Sequence, residues 1–99
     1  MNQTSPEKNN KETSLISVII PNYNSGAYLL EAVQSVINQT YSNFEIIIID
    51  NYSTDDSITN LSSITDNRIK IIQYSNGGII AASRNRGAEA SSGEWLAFL

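Results

Sequence analysis

The sequence contains neither cysteine nor histidine. Without cysteine there is no disulfide framework and no thiolate metal site, and without histidine the usual zinc ligand and general base are missing as well. Any catalysis must rest on carboxylates, a bound cation, or both. Positive charge is also scarce: six Lys and Arg stand against ten Asp and Glu, a formal charge of -4, which argues against a nucleic-acid partner because phosphate backbones bind basic fields. A small anion can still dock locally on oriented backbone amides. No run reaches the roughly 18 apolar residues that a membrane span requires. The start, Met1-Asn2-Gln3-Thr4, lacks the basic and then apolar order of a secretory signal. The expectation is therefore a cytoplasmic chain, with any membrane association made through regions outside it.

What is present suits one small globular unit. A length of 99 residues with 40% hydrophobic and 16% charged side chains allows a single modest core and excludes a two-domain reading. Residues 1–14 are polar, bury too little to offset the entropy of ordering, and read as a flexible leader. From Leu15 the run Leu-Ile-Ser-Val-Ile-Ile ends at Pro21, as a buried first strand would. Leu30, Val33, Val36 and Ile37 then recur at helical spacing between Gly26 and Asn38. Phe44 to Ile49 holds four consecutive isoleucines, which predicts a second strand covered on both faces, as in parallel sheets.

Ser53-Thr54-Asp55-Asp56 resembles a helix start, with Ile58, Leu61 and Ile64 as the buried stripe of a short helix. Ile69 to Tyr74 reads as a third strand, Ile79 to Ala90 as a small-residue helix and Glu94 to Leu99 as a fourth strand. The order βαβαβαβ implies an α/β, Rossmann-like parallel sheet with right-handed crossovers, and such sheets bind ligands beyond the carboxyl ends of their strands.

Three segments fall at those ends. Pro21-Asn22-Tyr23-Asn24 fixes a turn and offers a flat Tyr23 ring that can stack on a base, although turn chemistry alone explains the same residues. Asp50-Asn51 places a carboxylate and an amide where either can pair with the imide edge of a pyrimidine, or simply form a turn. Asn76-Gly77-Gly78 opens the helix that carries Arg84, so backbone amides and a guanidinium can approach a diphosphate. Paired glycines also occur in any loop that needs positive φ.

In this order and spacing, Ser17 to Asn24, Ser35 to Tyr41, Glu45 to Asp56, Asn76 to Gly87 and Gly93 to Leu99 resemble the inverting family 2 glycosyltransferases of GT-A fold. The resemblance runs from Leu15 to Leu99. It implies a transferase that moves a sugar from a nucleotide diphosphate sugar, UDP or dTDP linked, to a saccharide or lipid-linked acceptor hydroxyl, as in polysaccharide biosynthesis. It implies nucleotide-binding roles for Pro21, Tyr23, Asp50, Asn51, Gly78 and Arg84. Many members carry two acidic residues and then Gly where this chain has Asp50, Asn51 and Tyr52, which alters the pocket.

The family's last of these strands runs into an Asp-x-Asp motif for Mg²⁺ or Mn²⁺, with the catalytic base later still. Here the sequence stops at Leu99. The expectation is thus that the whole enzyme uses Mg²⁺ or Mn²⁺, that no residue of these 99 holds it, and that the 99 residues alone are inactive, since the departing diphosphate and the acceptor hydroxyl both need help. Two rival readings remain. One is a non-catalytic nucleotide-binding module or inactive remnant. The other, a phosphoacceptor receiver domain, lacks the acidic pair it would need after the first strand.

Overall fold

The computed structural model describes residues 14–99. The expected leader falls outside them except for Ser14, which is buried and accepts a hydrogen bond from the Tyr41 hydroxyl through its carbonyl. Four strands, β1 (Ile16–Asn22), β2 (Phe44–Asp50), β3 (Ile69–Gln73) and β4 (Trp95–Phe98), alternate with helix α1 (Tyr28–Ile37), a 3₁₀ turn (Thr59–Ser63) and helix α2 (Ile80–Ala90). The sheet order is β3-β2-β1-β4, and all three pairings are parallel. The chain steps outward from β1 through β2 to β3, then returns along α2 to place β4 on the other side of β1. The strand order therefore reverses between β1 and β4.

Side-chain alternation along each strand divides the core in two. Val18, Ile20, Phe44, Ile46 and Ile48 face α1 and meet Leu29, Val33 and Val36, with Leu61 of the 3₁₀ turn closing one end. Ile19, Ile47 and Ile49 face the other way, against Ile72, Tyr74, Ala88 and Ala90. All seven residues of β2 are buried, as the isoleucine run predicts. Close approach of α2 depends on Gly87. A Cβ there would stand 2.5 Å from Cγ2 of the fully buried Ile19.

Two local expectations change. The buried stripe of α1 is Leu29, Val33 and Val36, while Leu30 and Ile37 are only partly covered. The short helix expected after Ser53 is a five-residue 3₁₀ turn instead. Its covered residues, Ile58, Leu61 and Ile64, are spaced by three, the period of a 3₁₀ helix rather than of an α-helix. Ser53 does not cap it, because its hydroxyl is held by Asp50.

At the amino end of the sheet, Glu45 accepts from the Ser17 hydroxyl at 2.6 Å, the Ser92 N–H at 2.7 Å and Lys70 Nζ at 3.0 Å. Burial pushes its pKa up, and these donors, Ser17 foremost, outweigh burial and hold it below the ordinary value. The carboxyl ends of the strands are left for a different task.

Candidate functional site

The strand register sets Asn22 at the end of β1 beside Asp50 at the end of β2. Both are buried, Asn22 at 5% and Asp50 at 1% exposure, so their polar atoms must find partners within the fold. Asn22 Nδ2 lies 2.9 Å from Asp50 Oδ1, 3.1 Å from Ser57 Oγ and 3.2 Å from Ser53 Oγ. Asp50 also accepts from the Ser53 hydroxyl at 2.6 Å and the Ser53 N–H at 3.0 Å. Burial raises the Asp50 pKa. Hydrogen bonds from Ser53, Asn22 and Gln73 more than offset it, leaving the carboxyl ionised and below its ordinary value of 3.8.

The loops beyond this pair are tied to each other. Asn24, at φ 47°, donates its N–H to Ser53 Oγ at 2.9 Å and accepts from the N–H groups of Thr54 at 2.7 Å and Asp55 at 3.2 Å. Asp55 in turn accepts from the Gly26 N–H at 2.9 Å. Just past β2, Asn51 donates its N–H to the Asn22 carbonyl at the end of β1, and its side-chain oxygen accepts from the Asn76 N–H beyond β3 at 3.1 Å. The Asn76 side chain then accepts from the Gly78 N–H at 2.7 Å and donates to Ser83 on α2 at 2.8 Å. Gly77 and Gly78 have φ of 63° and 83°, which glycine adopts without steric cost.

This framework surrounds a cleft of about 360 Å³ lined by Pro21, Asn22, Tyr23, Asn51, Asn76, Gly78 and Ile80. Four of the residues singled out from sequence, Pro21, Tyr23, Asn51 and Gly78, thus converge on one space. Asp50 does not line it and instead holds the loop beneath. Arg84 is exposed on α2, one turn beyond Ile80 and on the same face of the helix. A second cleft, about 390 Å³, opens on the α1 side of β1, lined by Ile20, Tyr28, Leu29, Leu99 and others. Of the singled-out residues it shares only Pro21.

Sequence reasoning gave no site role to Asn22, Asn24 or Ser53, because each works by pairing with a residue about thirty positions away. A polar residue closing an apolar strand, as Asn22 does, was the one visible signal.

The profile of glycosyl transferase family 2 matches residues 17–99. The chain belongs to this family. It is 41% identical over 86 residues to the glycosyltransferase GlyG of Streptococcus pneumoniae, covering 85% of this chain and 29% of that protein. It is 34% identical over 87 residues to WfgD of Escherichia coli, a UDP-Glc:alpha-D-GlcNAc-diphosphoundecaprenol beta-1,3-glucosyltransferase, covering 86% and 34%. Among solved structures, S. aureus TarS 1-349 in complex with UDP-GlcNAc superposes with a TM-score of 0.76 at 29% identity, over 85% of this chain and 25% of that one. The chain spans about a third or less of the length of these relatives. The family and the parallel GT-A architecture agree with the fold and the family resemblance read from the sequence.

Metal is a separate matter. Among the described residues no group of three or more Asp, Glu, His or Cys stands together in a way that could hold an ion, and no carboxylate lines the cleft beside Tyr23. The described residues therefore do not fit the Mg²⁺ or Mn²⁺ expected of the whole enzyme. No helix among them is long and apolar enough to cross a membrane.

Proposed function

We propose that this chain is the nucleotide-binding part of a transferase that moves a sugar from a nucleotide diphosphate sugar to an acceptor hydroxyl with inversion. The observation that carries the proposal is the convergence of Tyr23, Asn51 and Gly78 on one cleft at the carboxyl ends of β1 and β2 and before α2. Each supplies what a different part of the donor requires. Tyr23, 59% exposed, offers a ring face to the base. The Asn51 side-chain oxygen already accepts from Asn76, so its amide nitrogen is the group left to donate to a base carbonyl. Gly77 and Gly78 bring backbone to the entrance of α2, where the positive helix end favours a diphosphate, with Arg84 one turn along.

In the transfer, the acceptor oxygen bonds to the anomeric carbon as the bond from that carbon to the diphosphate breaks, and the acceptor proton passes to a base. No carboxylate of the described residues lines the cleft, so in this reading the 99 residues bind nucleotide without turning it over. The likeness to TarS, whose structure holds UDP-GlcNAc, supports a UDP-sugar donor. The relative named for transfer to a diphosphoundecaprenol-linked sugar supports a saccharide or lipid-linked acceptor, with polysaccharide assembly as the setting.

Isothermal titration with UDP tests the reading. Saturable binding that Tyr23→Ala and Asn51→Ala both weaken supports it. Binding indifferent to both substitutions refutes it. Turnover of a UDP-sugar by these 99 residues would overturn the division between binding and chemistry.

A further inference from the structure

Tyr52, at a position where many family members carry Gly, has an unusual backbone for its size. Its φ is 51°, a left-handed conformation that is a genuine outlier for a bulky residue and costs an L side chain steric energy that glycine escapes. The fold over-determines this conformation from both sides. Asn51 is fixed by its N–H to the Asn22 carbonyl and by the Asn76 N–H. Ser53 is fixed by Asp50 and by the Asn24 N–H. The ring thereby set in place lies mostly in solvent. Tyr52 is 60% exposed, and its hydroxyl makes no hydrogen bond with another described residue. Strained residues held by their surroundings cluster at ligand sites and switch regions, and this one carries a largely exposed aromatic ring.

We propose that Tyr52 is a specificity-determining contact, a second aromatic wall that stacks on the planar base of the nucleotide from the rim of the cleft. Its position selects the base rather than the diphosphate. Tyr52 follows Asn51, a cleft-lining residue at the end of β2, whereas the glycine backbone suited to phosphate lies beyond β3 at Gly77 and Gly78. The Asn24 N–H to Ser53 Oγ bond, 2.9 Å long, ties the Tyr52 loop to the loop that carries Tyr23. Two exposed tyrosines thus stand on joined loops, Tyr23 lining the cleft and Tyr52 next in sequence to cleft-lining Asn51.

This inference rests on the nucleotide reading of the cleft, and the test separates the two. UDP affinity and melting temperature are measured for the purified protein and for Tyr52→Asn, Tyr52→Phe and Tyr23→Ala. Asn tolerates the left-handed backbone and has no ring. Tyr52→Asn therefore raises the melting temperature by about 4 °C while weakening UDP about tenfold. Tyr52→Phe keeps the ring and keeps the affinity. A residue that merely supports the loop moves stability and affinity in the same direction, which overturns the proposal. UDP binding that depends on Tyr23 and is unchanged in Tyr52→Asn overturns the Tyr52 wall and leaves the cleft reading standing. Absence of UDP binding by the parent protein overturns both.

Discussion

Replacing Asn22 by Ala tests how the site is held together. The substitution removes the donor to Asp50 Oδ1 at 2.9 Å and to the Ser57 and Ser53 hydroxyls at 3.1 and 3.2 Å. The two serines can turn toward other acceptors, but the Asp50 carboxylate is 1% exposed and cannot recruit water in exchange. A hydrogen bond to a buried charge contributes about 1.5–3 kcal/mol and a neutral one about 1 kcal/mol, so the expected loss is about 3 kcal/mol. For a domain of this size that lowers the melting temperature by about 12 °C or more.

The loss also depends on pH. The folded pKa of Asp50 lies below its ordinary 3.8 because hydrogen bonds outweigh burial. The carboxylate therefore contributes stability that is fully present above the unfolded value and fades as pH falls through the folded one. Without Asn22 the folded pKa rises. The gap between parent and variant is then widest near neutrality and narrows on acidification. Urea denaturation followed by circular dichroism at pH 7 and at stepped values down to about pH 2.5, through the window below the ordinary carboxyl value, measures it. A loss under 0.5 kcal/mol by the scale of ordinary surface substitutions, or a gap that widens on acidification, refutes the reasoning.

Three further predictions follow from other parts of the molecule. Gly87→Val places side-chain atoms where even a Cβ would be 2.5 Å from Ile19 Cγ2 and 3.3 Å from Ile49 Cγ1, so thermal unfolding should show a loss of about 1–3 kcal/mol. The Asp66 carboxyl, held at about 2 by hydrogen bonds from the Arg68 side chain and N–H, should titrate there by carboxyl carbon NMR and move back toward 3.8 in Arg68→Ala. Tyr23→Ala should weaken UDP by about tenfold, the scale of one base–aromatic stack, with a melting temperature close to the parent's because the ring is 59% exposed.

Much of the fold was legible because its strongest signals are local. Four β-branched isoleucines in a row are too many for a half-exposed strand, and β2 is buried at all seven positions. Pro21 and Gly78 were readable as strand-end and helix-entrance residues because backbone constraints write themselves into residue type. The 3₁₀ turn was misread as a helix although its apolar residues keep a spacing of three. The α1 stripe shifted because Leu29 and Leu30 compete for the same face, and only tertiary packing decides between them. At the site, Tyr23 and Asn51 were visible as exposed chemistry at strand ends. The division of labour was not: Asp50 is consumed by Asn22 and Ser53, and Asn24 joins two loops, through contacts that exist only once β1 and β2 are in register.

The proposed function requires nucleotide in the cleft at the carboxyl ends of β1 and β2. An amide-resolved NMR titration with UDP tests this most directly. The account predicts the largest saturable shifts at Tyr23, Asn51 and Gly78, with the Ser17, Glu45 and Lys70 network at the opposite end of the sheet unmoved. Shifts centred on that opposite network, or on the Tyr28 and Leu99 side of β1, would contradict it.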